Sequence, residues 1–243
     1  MGSLYVGCAG WAIPREFSSE FPGRASHLER YAQVLRCAEI NSSFYRPHRT
    51  STWDRWANTV PLGFRFSVKA PRTMTHGGAL FCSDGDLTRF LDQALLLGAR
   101  LGPILFQTPP KLGYEHSVVR KFFSSLRAIY PGQVVIEPRN PSWFSADVDC
   151  LLSEFNVARV AADPSPTPEG ESPGGSRTLS YYRLHGSPRK YYSSYSEEEL
   201  ARLALSLLSL SHHGDVWCVF DNTGSGAATG NALRLSRLLE GHH

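Results

Sequence analysis

"CAEINSSFYR", residues 37–46, opens apolar, turns acidic at Glu39 and to an amide at Asn41, and then runs into two aromatics. Alternate side chains of a β-strand share a face, so Glu39 and Asn41 point the same way. Polar groups gathered on one face at the end of an apolar run are costly inside a sheet. They suit the mouth of a closed barrel, where strand ends and the loops after them build the site.

Seven further apolar or β-branched runs fall on either side of this one: "LYVGCAG" (4–10), "FRFSVKA" (64–70), "PILFQTP" (103–109), "VVIEPR" (134–139), "ARVAAD" (158–163), "YYRLHG" (181–186) and "VWCVFDN" (216–222). Between several of them, apolar residues recur at helical spacing. Leu87, Phe90, Leu91, Ala94 and Leu95 form one such stripe, Val118, Val119, Phe122, Phe123 and Leu126 a second, and Leu200, Leu203, Ala204, Leu207 and Leu208 a third. Strands alternating with amphipathic helices imply a parallel sheet, and eight units in 243 residues predict an α/β protein with a TIM-type (β/α)8 barrel, one domain over residues 1–243. An open, doubly wound sheet is the alternative. It lacks its usual support, because "GCAGWA" after the first run does not have the spacing of a dinucleotide-binding turn.

One unit is expected to be irregular. "PSPTPEGESPGGSRT" (164–178) has four prolines, three glycines and almost nothing apolar, so a Pro/Gly-rich, flexible loop should replace the covering helix between strands six and seven. Such a loop reads either as a tolerated surface insertion or as a lid.

The formal charge of +3, from 25 Lys and Arg against 22 acids, gives at most a weak field for anions and does not by itself argue for nucleic acid. Cys8, Cys37, Cys82, Cys150 and Cys218 are scattered singly, which fits reduced thiols in the cytoplasm better than a disulfide framework or a structural zinc site. The opening residues lack a basic stretch before an apolar run, and no segment is long and apolar enough to span a membrane, so no membrane association is expected. Residues 241–243 read as tag-like, and His242 and His243 carry no functional weight.

The polar residues at the strand ends define the expected site. Glu39, Lys69, Glu137 and His185 are the candidates for catalysis, and Asn41, Tyr45, His76, Gln107, Arg139, Trp143, Asp163, Arg183 and Asn222 those for binding substrate. Glu137 and Arg139 share parity, as do Arg183 and His185. Unpaired charges at a desolvated mouth are unfavourable, so some of them must pair or hold a ligand. Each also has a structural reading: Glu39 with Lys69 as an ion pair between neighbouring strands, Arg139 and Arg183 held by Asp163 or Glu137, His185 as a satisfied core histidine. Trp11, Phe44, Tyr45, Trp143 and Phe144 follow strand ends and read either as stacking platforms or as packing. Gly186, Gly224 and Gly226 lie in the loops after strands seven and eight, where barrels often hold phosphate, or serve simply as helix entries. Cys8 is a candidate nucleophile weighed against a buried packing role.

These motifs resemble a known family. "GCAGW", "EINSSFYR", "FSVKAP" with "TH" close behind, "ILFQTPP", "IEPRNPSWF", "YYRLHG" and "FDNTGSGAATGNA" are similar, in order from about residue 5 to 235, to the motifs of the YecE-like proteins, catalogued as domain of unknown function 72. The resemblance implies a TIM-type barrel with a polar pocket at its C-terminal face and supplies no established activity. Two departures stand out: Ala9 where a serine is common, and Asn140 where a histidine commonly follows the arginine.

Three functions are compatible with these residues. The first is an enzyme acting on a phosphate-bearing or otherwise anionic substrate, with Arg139, Arg183 and Lys69 holding the anion, His185 or Glu39 moving a proton and Glu137 orienting the base. The second is metal-assisted hydrolysis, nuclease-like, with a divalent ion on Glu39, Glu137, Asp163, His76 and His185. Its signal is weak, because no tight metal-ligand motif is present, and no metal ligand is assigned. The third is a non-catalytic protein that binds a metabolite or nucleic acid. The barrel itself does not choose among them, and the oligomeric state is open.

Overall fold

The computed structural model describes residues 2–77, 80 and 83–241. Cys82, His242 and His243 lie outside the described residues. Ten strands form one sheet: β1 Leu4–Ala9, β2 Cys37–Ile40, β3 Arg65–Lys69, β4 Leu101–Gln107, β5 Val134–Glu137, β6 Val157–Arg159, β7 Ala161–Asp163, β8 Gly174–Gly175, β9 Leu179–Leu184 and β10 Asp215–Phe220. Their order is β7-β9-β10-β1-β2-β3-β4-β5-β6-β8. The expected sixth strand is thus divided at Val160: β6 pairs in parallel with β5, and β7 in parallel with β9. Because β6 and β7 are consecutive in the chain, the sheet closes on itself as the expected barrel.

Helices α1 His27–Tyr31, α2 Thr50–Thr59, α3 Asp84–Leu95, α4 His116–Ile129, α5 Ala146–Glu154, α6 Glu197–Ser211 and α7 Ala227–Glu240 cover it. Side-chain caps start five of them: Ser26, Ser83, Glu115, Ser145 and Ser196 each accept a hydrogen bond from a first-turn backbone N–H. In α4 the stripe Val119, Phe122, Phe123 and Leu126 is buried while Val118 stays exposed, which narrows the apolar face the spacing suggested.

No α-helix forms between β7 and β9. Residues 164–178 instead make a 3-10 turn, Pro168–Glu171, and the short β8, antiparallel to β6. Arg159 anchors this segment, pairing with Asp149 of α5 at 2.8 Å and donating to the carbonyls of Glu169 and Ser172 at 3.2 and 3.3 Å.

The barrel interior has two levels. Its lower half is apolar: Trp217 stacks between Tyr5 and Tyr181, with ring centroids 4.7 and 5.9 Å away, among Cys37, Leu105, Val135 and Val219. Gly102 must be glycine here, since a Cβ would fall 2.5 Å from the Trp217 ring. The upper half is ionic.

Candidate functional site

Register sets which side chains reach the upper level. Glu39 is opposite Ser67, Gln107 opposite Glu137, and Arg183 opposite both Val219 and Ala162, so all of these face the barrel axis. Period-two alternation adds Lys69, two residues beyond Ser67, and it carries past the strand ends to Arg139, His185 and Asp221.

Arg183 is the hub, buried with no exposed surface. Its Nε and Nη2 donate to Glu39 at 2.9 and 2.6 Å, Nη1 donates to Glu137 at 2.9 Å, and Nη2 also lies 3.1 Å from Asp221. Tyr181 Oη closes the Glu39 side, 3.1 Å from its carboxylate and 2.9 Å from Ser67 Oγ. Gln107 donates to Glu137 at 2.8 Å. Both nitrogens of His185 face carboxylates, Nδ1 on Asp221 and Nε2 on Glu137, each at 2.9 Å. Arg139 Nη2 bridges Glu137 at 2.6 Å and His185 Nε2 at 2.9 Å.

Burial alone would raise the carboxyl pKa values, but the cations win. Arg139, Arg183 and His185 hold Glu137 well below the usual carboxylate range, and Arg183 with His185 lowers Asp221. Burial disfavours the Arg183 charge, while Glu39, Asp221 and Glu137 more than restore it. Of the two expected roles of Arg183, anion holder or partner of a neighbouring acid, the geometry matches the second: its guanidinium is already occupied by three acids, Glu137 among them, and sealed from solvent. The expected Glu39–Lys69 ion pair is also replaced, since Glu39 takes Arg183 instead.

That leaves a layer of cations above the acids. Lys69 Nζ sits over the Phe44 ring, 4.3 Å from its centroid, with no carboxylate within ion-pair distance among the described residues. Burial first, and Arg183 second, lower its ammonium pKa to about 8. His76 is lowered by burial and then by Lys69, Arg72 and Arg139; Lys190 is lowered by burial and then by Arg139. Arg139 Nε is buried without a hydrogen-bond partner. The loop after β9 covers this layer: Tyr191, at φ +69°, packs edge-on to His185 with centroids 5.8 Å apart, and its N–H donates to the His185 carbonyl at 2.5 Å.

Not every expected residue joins. Asp163 is paired in register with Leu184 and faces outward, lining a cavity of about 220 Å³ with Tyr195 and Leu200 of α6. Asn222 ties the end of β10 to Ser193 and to Asn231 of α7 at 2.8 and 2.9 Å. Trp143 is fully buried and donates to the Leu112 carbonyl at 2.9 Å, which makes it packing rather than a stacking platform. Tyr45 is exposed on a groove of about 780 Å³ that includes Phe44, Arg72 and His76. Asn41 is half-buried just past β2, and its Oδ1 is unpartnered.

Asp221, Arg72 and Lys190 belong to the site although the sequence reading gives them no role. Asp221 was the most legible, sharing parity with Val219 on an inward-facing strand. Cys8 pairs in register with Phe220 and Ala38 and faces the helices, and burial raises its thiol pKa to about 12, so it is a packing residue. Among the described residues no group of His, Cys, Asp and Glu is arranged to hold a metal ion, because the acids converge on Arg183. Ala9 lies opposite Glu39, and Asn140 caps the turn Pro141–Trp143 through Ser142 at 3.0 Å, a role that needs no histidine.

Comparison with known proteins agrees with this architecture. The chain is 30% identical over 171 residues to UPF0759 protein YecE of Escherichia coli (strain K12), and the match covers 67% of this chain but spans only 60% of that protein. It is 24% identical to UPF0759 protein YunF of Bacillus subtilis (strain 168), with 98% of this chain and 95% of that one covered. The crystal structure of a DUF72 family protein from Thermotoga maritima MSB8 shares the fold, with a TM-score of 0.80 at 24% identity over 98% of this chain and 99% of that one. The family model described as "Protein of unknown function DUF72" matches residues 5–243, and the chain belongs to that family.

Proposed function

We propose that the barrel mouth binds a small anionic molecule, phosphate- or carboxylate-bearing, and acts on it as an enzyme. The observation that carries this reading is the imbalance of the mouth. Lys69, Arg72, Arg139, Lys190 and the central Arg183 outnumber Glu39, Glu137 and Asp221, and the outer cations lower one another's or His76's proton affinity. A positive field in a half-buried, low-dielectric site favours an anion strongly.

Lys69 and Arg139 hold the anion in this reading, and the unpartnered Arg139 Nε supplies a donor. Arg183 keeps three acids in place instead of binding ligand. His185, gripped by Glu137 and Asp221, is placed to carry a proton once Arg139 shifts toward the ligand. The unpaired thiols of Cys8, Cys37, Cys150 and Cys218 support a cytoplasmic setting. Among the described residues no helix is long and apolar enough to cross a membrane.

Isothermal titration with inorganic phosphate and with phosphosugars tests the proposal. Saturable binding should weaken about tenfold or more in Arg139→Met, the loss of one charge-assisted contact. Equal affinity in wild type and Arg139→Met, or no binding by either, rejects the anion site.

A further inference from the structure

Like Arg72 and Lys190, Lys69 has neither a carboxylate nor a hydrogen-bond partner among the described residues, but it alone of the three is buried. Ser43 Oγ fixes its backbone, donating to the Lys69 carbonyl at 2.6 Å, and the amine is held against the Phe44 ring. The residue type is itself informative. Only four of the chain's 25 basic residues are lysines, Lys69, Lys111, Lys121 and Lys190, and arginine would serve better if charge alone were needed. What lysine adds is an amine able to lose its proton, and desolvation beside another cation is how such amines become nucleophiles. Lys69 and Arg139 are not in its lining, but Phe44, against which the amine rests, and His76, whose charge feels both Lys69 and Arg139, line the groove of about 780 Å³, so the groove borders the amine and gives a carbon skeleton room beside it.

We infer that Lys69 forms an imine with an anionic aldehyde or ketone bound at the mouth. This rests on the anion site proposed above and names the substrate class of that site. The neutral amine's lone pair forms a C–N bond to the carbonyl carbon as the C=O π pair moves to oxygen, and the nitrogen proton passes to that oxygen. The carbinolamine hydroxyl then takes one proton from solvent and leaves as water, with the nitrogen pair completing C=N⁺. No oxidant or reductant is required. Near neutral pH an amine with its pKa at about 8 holds roughly 300 times more neutral form than an unperturbed lysine at 10.5, which keeps this route open.

The test is reductive trapping of the intact protein. Glyoxylate, pyruvate or glyceraldehyde 3-phosphate is added with sodium cyanoborohydride at neutral pH, propanal serves as the uncharged control, and peptide mass mapping locates the adduct. Lys69 should be modified at least about tenfold more than Lys111, Lys121 or Lys190, since only Lys69 has a ring-held amine beside the groove and the anion-holding Arg139. Inorganic phosphate should suppress that adduct, and Arg139→Met should reduce it for the anionic carbonyls but not for propanal. An unmodified Lys69, with phosphate still bound in titration, overturns the imine and leaves the anion site standing. Lys69 labelling that is equal for propanal and the anions, and indifferent to Arg139→Met, overturns the anionic substrate class. Lys69→Arg keeps the charge without a nucleophilic amine, and an adduct persisting on that variant's mouth peptides also overturns the assignment.

Discussion

Arg183 and Glu39, 144 residues apart, meet fork to fork inside the barrel at 2.6 and 2.9 Å, and neither has any exposed surface. In the sheet, β9 and β2 are separated by β10 and β1, so the pair reaches across the interior and ties opposite walls. Such a pair is strong only while complete, because either partner alone leaves a charge buried and uncompensated. Arg183→Met should therefore cost about 3–5 kcal/mol or more, since it strands Glu39 together with Glu137 and Asp221. Adding Glu39→Gln should recover part of that loss. Urea unfolding of both single variants and the double variant measures the coupling, and strictly additive losses would contradict the pairing.

The acid limb of stability follows from the same cluster. Glu137 and Asp221 have folded-state pKa values below their ordinary 4.5 and 3.8, so their contribution is fully present above those ordinary values and is lost as pH falls below them through the lower folded-state values. Thermal unfolding should show a steep decline below about pH 4.5. Glu137→Gln should be less stable at neutral pH but show a shallower slope in that range. An unchanged slope would mean that other carboxylates govern acid unfolding.

Lys69 shares that slope but works against stability at neutral pH. Its folded pKa of about 8 lies below the ordinary 10.5, so the unfolded chain binds the extra proton and the native state gains stability as pH rises between those values. The stability advantage of Lys69→Met over wild type, on the order of 3 kcal/mol near pH 7 at most, should shrink toward pH 10.5. Saturating phosphate should shrink it as well, by pairing the ammonium. A difference independent of pH would show that Lys69 is not desolvated.

Much of this site was legible because a strand alternates with period two. That rule alone turns Glu39, Lys69, Gln107, Glu137 and Arg183 toward one axis. The same rule, applied more strictly, removes Asp163: it shares parity with Arg159, which points outward to Asp149 of α5. Asp163 is the last polar residue of its run but stands one position out of phase with Ala162, the residue opposite the inward-facing Arg183. The pairing of acids with Arg183 was not legible, because it depends on how far side chains reach across a closed barrel and not on spacing along one strand. Trp143 was obscured for a related reason, since following a strand end does not determine whether an aromatic faces ligand or helix.

The floor beneath the ionic layer offers a separate probe. Gly102→Ala places a Cβ about 2.5 Å from the Trp217 ring, and overpacking of this kind costs about 1–3 kcal/mol. Trp217 stacks on Tyr181, and the Tyr181 hydroxyl touches Glu39, so displacement of the floor has a path to the Glu39–Arg183 pair. Arg139, just past β5, and Lys69, at the end of β3, lie further along, reached through Glu137 and through Ser67 and not by direct contact with Tyr181. Gly102→Ala should therefore lower the melting temperature while leaving phosphate affinity within about twofold, since distant sites act nearly additively. A parallel loss of both would show that the three-acid clamp on Arg183 sets the position of the outer cations, and that the ionic level of the barrel responds as one unit.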